Sequence, residues 1–430
     1  MRQSKRRAKR RGNRRALFIP AASILPVVLV ILVGMLGFMA YRGILQAHSA
    51  TKQSNPVDGG RYLYYTLKQP NGFVLARSLK GSSGQPLSSP QPVATFGDGF
   101  GQLESDGVFF MQLSPDYRYL AIDGTRDHGE QVWIFDTQSL KLNLVPANVL
   151  GNFLHWLPGA SGHAFLYRPM LPLGPNVPTD GVGWNPGLWI VDAATGAHTN
   201  IDIHMSSAFL VDAAPSPDGS RIVYSTSAGI GMGSDTWLMR SDGSGLIHLF
   251  STPAGVQSIT GMFAWSPDGR TIAYEQLSDG PSPFLPAGLW VMNSDGTRQH
   301  QLAEADGGHG FTLSWSPDSR SIAFVARINT TDRQANLDAQ SLQSAIAIVD
   351  VASAHSWLVA TPAQTGAQIN AYPTWIFSAN GSESITFAAF NPFNRVLGGM
   401  PRYWSAQLGS RQSHALLVPL TATLTHIVAL

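Results

Sequence analysis

The chain reads as an all-β protein, a seven-bladed β-propeller of four-stranded antiparallel blades, preceded by one N-terminal transmembrane α-helix. Three observations lead there. The tripeptide Ser-Pro-Asp recurs at Ser216, Ser266 and Ser316, at intervals of 50 residues, with an earlier copy at Ser114. Each copy heads the same succession of an apolar approach, a turn, a short apolar strand, a variable stretch, a second apolar strand and a polar turn. Self-similarity at roughly 40 to 50 residues with four strands per unit is the pattern of propeller blades. The third observation is a charge-free N-terminal run, Ala16 to Tyr41, which no blade can use.

That run holds 26 residues rich in Val, Leu and Ile. At about 1.5 Å per helical residue it can cross a hydrocarbon core of about 30 Å. Pro20 and Pro26 would tilt or kink such a helix without forbidding it. Nine of the 29 Lys and Arg lie between Arg2 and Arg15, a tenth is Arg42, and no acid precedes Asp58. This asymmetry puts the N-terminus in the cytoplasm and everything beyond Tyr41 outside. A cleaved secretory signal would have a shorter apolar region, of about 7 to 15 residues. Arg14-Arg15 before Ala16 has the look of a twin-arginine export signal, but in so basic a tail some Arg pair must precede the apolar segment. The division that follows is a basic cytoplasmic tail at 1–15, a transmembrane helix at 16–41, a linker at 42–57 and the repeats at 58–430.

From residue 51 onward there are 19 basic and 27 acidic residues, a net charge of −8, so the alkaline pI belongs to the tail. The topogenic role explains the tail charges, and no nucleic-acid partner is expected. Cysteine is absent. Disulfides, thiolate metal sites and thiol nucleophiles are thereby excluded together.

Within the repeats the clearest unit runs from Ala264 to Tyr274, with Trp265 before the Ser266-Pro267-Asp268-Gly269 turn, and continues as Leu289 to Met292 and the turn Ser294-Asp295-Gly296. Ser314 to Val325 with Ala345 to Asp350, Pro215 to Ser225 with Trp237 to Gly243, and Leu113 to Ile122 with Val132 to Asp136 repeat it. These units resemble the TolB-like propeller repeats, which read approximately WSPDGxxIAF followed by IYVMDxDG. The resemblance implies the propeller fold and a periplasmic protein-binding platform. The chain departs from TolB in carrying a membrane segment where TolB has an N-terminal α/β domain.

Two degenerate units, Trp156 to Tyr167 with Gly187 to Asp192 and Trp375 to Phe387 with Arg402 to Leu408, fill the gaps. A further unit stands first, Arg61 to Thr66 and Gly72 to Leu79, with no innermost strand of its own. The C-terminal run Leu424 to Leu430 is left over and is expected to supply it, closing the ring. Six or eight blades are the alternatives.

The repeated turn residues, Ser114, Pro115, Asp116, Ser216, Pro217, Asp218, Ser266, Pro267, Asp268, Ser316, Pro317 and Asp318, have a structural explanation. Proline fixes φ at the second turn position, aspartate accepts from nearby backbone N–H groups and glycine tolerates positive φ. Blade geometry spreads the four carboxylates around a ring, where they cannot converge on one substrate. Loops such as Ser241-Asp242-Gly243 lack the further acids of a calcium site, and the triplets at Asn329 and Asn380 matter only in a glycosylating host.

Loop length is unequal. Long segments join second to third strands at Arg168 to Pro186, Gln276 to Ala287, Arg327 to Ser344 and Phe390 to Pro401, and they share one face. Insertions on one face of a repeat fold mark a binding face. Trp184, Phe284, Arg333, Phe393 and Arg395 are its candidate contact residues. Enzymatic signals are few: there is no Gly-x-Ser-x-Gly elbow and no Walker-type loop. His155 and His309 fall in or beside innermost strands, yet no close histidine pair has ligand spacing. No catalytic residue, metal or cofactor is assigned. The sequence thus predicts a monomeric, membrane-anchored, extracytoplasmic interaction module for a protein or envelope ligand. A channel-sited hydrolase or lyase acting on an envelope sugar or lactone is the alternative.

Overall fold

The computed structural model describes residues 61–429 except 70–71, 81–87, 98–106, 127–128, 147–148, 160–162, 171–186, 202, 204–208, 229–230, 256–258, 278–285, 307–312, 333–340, 378–382, 392–401, 409–415 and 420–427. The expected transmembrane segment at 16–41, with its tail and linker, lies outside them. Among the described residues no helix is long and apolar enough to cross a membrane.

Among the described residues the strands form seven antiparallel sheets of four. Blade 5 shows how the sequence builds one. Its strands are Ile259–Trp265, Thr271–Leu277, Ala287–Asn293 and His300–Ala305, paired in order. The first is buried along its whole length and the last is mostly exposed at alternate positions, as an inside-to-outside order requires. β-Branched and aromatic residues favour this pleated, half-buried setting. Blades 2, 3, 4, 6 and 7 repeat the order, beginning at Gly107, Leu150, Phe209, Ser314 and Ile369.

Blade 1 is assembled from both ends of the chain. Tyr62–Gln69, Gly72–Leu79 and Gln91–Thr95 provide three strands, and the C-terminal Val428–Ala429 pairs antiparallel with the first of them, Tyr64 opposite Ala429 and Tyr65 opposite Val428. The leftover C-terminal run therefore supplies the missing innermost strand, and the ring closes as the sequence predicts.

The core lies between blades. Trp265 packs among Ala214, Val223 and Leu238 of blade 4 and Phe263, Ile272 and Tyr274 of its own blade. Its indole N–H donates to the Ala214 carbonyl of the preceding innermost strand at 3.2 Å. Trp315 does the same to Ala264 at 2.9 Å, and Trp156 to Gln112 at 3.0 Å. Each of these indoles thus ties one blade to the previous one through a carbonyl of its innermost strand. Trp375 occupies the same place in blade 7, but its indole nitrogen has no hydrogen-bond partner among the described residues.

Candidate functional site

The ring has two faces, and connection lengths separate them. On one face stand the Ser-Pro-Asp turns between first and second strands, five residues long in blades 2, 4, 5 and 6, beside the turns between third and fourth strands. On the other stand the second-to-third connections. These are the two residues 70–71 and 127–128 in blades 1 and 2, but 171–187, 278–286, 328–343 and 391–401 in blades 3, 5, 6 and 7. The five candidate contact residues, Trp184, Phe284, Arg333, Phe393 and Arg395, belong to these long segments and lie outside the described residues.

The turn face is fully occupied by its own bonding. In all four Ser-Pro-Asp copies the serine Oγ donates to the aspartate Oδ1 at 2.6 Å. That carboxylate oxygen accepts the backbone N–H two residues on at 3.1 Å, at Arg118, Ser220, Arg270 and Arg320. The same serine oxygen accepts from the start of the next strand, at Tyr119, Arg221, Thr271 and Ser321. The fourth turn residue takes a left-handed φ, 60° at Tyr117, 70° at Gly219 and Gly269 and 62° at Ser319. Partial burial pushes the Asp218 carboxylate upward, but hydrogen bonds from Ser216 and Ser220, with Arg221 nearby, together leave its pKa below the ordinary value. These carboxylates are turn anchors spread around a ring. Neighbouring turns also touch: Ser319 Oγ accepts the Asp268 N–H at 3.1 Å.

Toward the long-loop face the second strands carry a set of buried polar residues that sequence reading misses. Registering the strands on their first apolar pair, Leu113 with Leu120, Trp156 with Phe165, Pro215 with Ile222 and Trp265 with Ile272, puts Asp123, Arg168, Ser225 and Glu275 at one position in blades 2 to 5. All are buried. Each innermost strand of blades 2 to 5 has a β-bulge at this level, between Val108 and Phe110, Phe153 and His155, Leu210 and Asp212, and Gly261 and Ala264. A bulge leaves backbone groups outside the ladder. The polar residue of one blade satisfies those of the next: Asp123 accepts from the Phe153 backbone, Arg168 Nη1 donates to the Leu210 carbonyl at 3.2 Å, and Ser225 Oγ donates to the Thr260 carbonyl at 2.5 Å. Asp212 adds a fourth link, its Oδ2 accepting the Phe263 N–H of blade 5 at 3.0 Å.

Two carboxylate pairs arise in this layer. Burial pushes Asp123 well above the usual carboxylate range, and neighbouring Glu130 adds to it, opposed by the Phe153 amide, Arg168 and Asn152. Arg168 Nη2 donates to Asn152 Oδ1 at 2.8 Å, completing the cluster. Burial likewise raises Glu275 well above its ordinary value, with Asp306 as the second cause. Arg327 in blade 6 is pushed down by burial while Asp306 and Asp332 hold it up. Tyr167 and Tyr274, next to these groups in the second strands, are raised by burial. Coupling of neighbouring blades accounts for the layer without a substrate.

His155 sits in the innermost strand of blade 3, whereas His309 lies outside the described residues. Among the described residues no three His, Asp or Glu side chains come together in a way that could hold a metal ion.

No protein-family model and no curated protein sequence matches the chain. Solved structures do. An oligogalacturonate lyase from Vibrio parahaemolyticus superposes with a TM-score of 0.54 at 14% identity, over 86% of this chain and 91% of that one. A second oligogalacturonate lyase, in complex with manganese, gives 0.52 at 18% identity, over 82% and 87%. TolB from Acinetobacter baumannii gives 0.41 at 15% identity, over 70% of this chain and 64% of that chain. The described residues do not provide for a manganese ion of the kind the second lyase holds. At these identities the likeness extends to the fold alone, a seven-bladed propeller with TolB proteins among its structural neighbours.

Proposed function

We propose that the protein is a membrane-anchored, extracytoplasmic interaction module that binds a protein or envelope ligand through the long loops on one face of its propeller. One observation carries this reading: connections of nine to seventeen residues, at 171–187, 278–286, 328–343 and 391–401, all leave the same face, while the Ser-Pro-Asp turns opposite keep one length and satisfy their own polar groups. A fold under no binding demand on either face would vary both. The buried carboxylates fit the same reading, because they brace blades and so hold the loop bases in fixed relation.

The test is cross-linking in intact cells followed by mass spectrometry, comparing the full chain with a variant in which 171–186 and 333–340 are each replaced by a two-residue turn like that at 127–128. Loss of cross-linked partners from the shortened variant, with its melting transition intact, is the expected result. The same partners on both proteins would overturn the assignment of the binding face.

A channel-sited hydrolase or lyase acting on an envelope sugar or lactone is the second reading. It is prompted by the two oligogalacturonate lyases among the structural neighbours, which share only the fold with this chain. Incubation with polyuronate and envelope glycans, read by the absorbance of a newly formed unsaturated uronate or by new reducing ends, decides it. Turnover would replace the interaction reading.

A further inference from the structure

The polarity of one strand fixes where the chain enters the ring. Tyr62–Gln69 is the second strand of blade 1, and second strands in every blade start at the Ser-Pro-Asp face and end at the long-loop face. Residue 61 therefore emerges on the face of short turns, and everything N-terminal to it is attached there. The turn that would precede this strand is missing because its innermost partner comes from the other end of the chain.

Charge is divided along the same axis. Ten carboxylates lie in the turns and strand ends of the Ser-Pro-Asp face, among them Asp116, Asp136, Asp242 and Glu383, and ten basic groups accompany them, among them Arg61, Lys80, Arg270 and Arg320. That face is neutral. The excess of acids over bases in residues 51–430 lies elsewhere, part of it in the buried layer that holds Asp123, Glu130, Asp212, Glu275 and Asp306. Cytoplasmic-membrane lipids present an anionic surface, which repels an acidic face and tolerates a neutral one within a Debye length of about 8 to 10 Å.

From strand polarity and charge partition together we infer that the propeller stands with its Ser-Pro-Asp face against the membrane and displays its long loops away from it. A partner of the loops is then a macromolecule reached from the side away from the membrane, and not a protein embedded beside the anchor. This inference rests on the membrane anchoring proposed above.

The absence of cysteine from the sequence allows a clean test. Single-cysteine variants of the full chain, Gln138→Cys and Gln299→Cys on the turn face, Met232→Cys and Ile328→Cys on the loop face, are labelled with a fluorophore. All four positions are exposed. The proteins are reconstituted into phosphatidylcholine–phosphatidylglycerol vesicles carrying a headgroup-attached quencher. Quenching at 138 and 299 is expected to exceed that at 232 and 328 several-fold. Equal quenching at the four sites, or the reverse order, overturns the orientation while leaving the anchor intact, since co-flotation of protein with vesicles reports the anchor separately. Failure to float overturns the anchor and the orientation together.

Discussion

Gly219 and Gly269 hold the same place in consecutive Ser-Pro-Asp turns and the same φ of 70°, yet alanine should affect them differently. The left-handed conformation costs a residue with a Cβ about 1 to 2 kcal/mol at either position. At Gly269 the added Cβ would meet only the Pro217 Cδ, at 3.9 Å. At Gly219 it would come within 1.6 Å of the Pro158 carbonyl oxygen, backbone of the degenerate turn in blade 3. Relieving that overlap means shifting one turn against its neighbour, which adds about 2 to 3 kcal/mol by analogy with overpacked cores. The totals are about 1 to 2 kcal/mol for Gly269→Ala and about 3 to 5 kcal/mol for Gly219→Ala. With an unfolding entropy of about 2 cal/mol/K per residue over the propeller, they correspond to melting shifts of about 1 to 3 °C and about 4 to 6 °C. Differential scanning calorimetry on the two variants and the parent measures both. Equal shifts, or a larger one at Gly269, would refute the claim that turns of blades 3 and 4 are locked together by direct backbone approach.

Other perturbations have equally definite outcomes. Trp265→Phe and Trp315→Phe keep an aromatic ring but remove the indole bonds to the Ala214 and Ala264 carbonyls, and each should cost about 0.5 to 1.5 kcal/mol in urea titrations. Trp375→Phe, with no such bond to lose, should cost distinctly less; three equal losses would show that ring volume and not the N–H matters. Arg168→Leu removes the guanidinium that serves Asn152 and the Leu210 carbonyl beside buried Asp123, and about 3 to 5 kcal/mol should be lost. Because the folded-state pKa values of Asp123 and Glu275 are raised, the native state binds more protons than the unfolded state, and stability should fall as pH rises from the ordinary carboxyl range near 4 toward those raised values. Glu275→Gln should flatten that fall; an unchanged slope in pH-dependent denaturation would mean Glu275 is not buried as described. Deleting residues 428–430 should leave the Tyr62–Gln69 edge unpaired and speed proteolysis within blade 1, with an unaltered digestion pattern counting against closure through Val428 and Ala429.

The periodic parts of the fold were legible in the sequence because the turn demands particular chemistry. Serine, proline, aspartate and a residue tolerant of positive φ each have a separate duty in it, so the turn survives as a word that can be counted. The closing strand was legible by subtraction: Arg61 to Leu79 lacked an inner partner and Leu424 to Leu430 lacked a blade. The polar layer was not legible. Asp123, Arg168, Ser225 and Glu275 share neither charge nor shape, and only strand register, counted from the apolar pairs at Leu120, Phe165, Ile222 and Ile272, reveals that they hold one position. Their common task is set by bulges in a neighbouring strand, which no local pattern encodes. The candidate loop contacts, Trp184 and Arg395 among them, lie outside the described residues, and no repeat pattern of the scaffold fixes their choice.

Closure by Val428 and Ala429 has a kinetic side. The innermost strand of blade 1 follows every other propeller strand in the chain, and its partner at Tyr64 and Tyr65 precedes them. Six blades can form from contacts local in sequence while the chain is still being delivered, but the seventh waits for residues 428 and 429. Until they arrive Tyr62–Gln69 presents a free edge to any strand nearby, the situation in which propellers swap or aggregate. The ring is thus sealed only when Val428 and Ala429 reach Tyr64 and Tyr65, after the other six blades have been made.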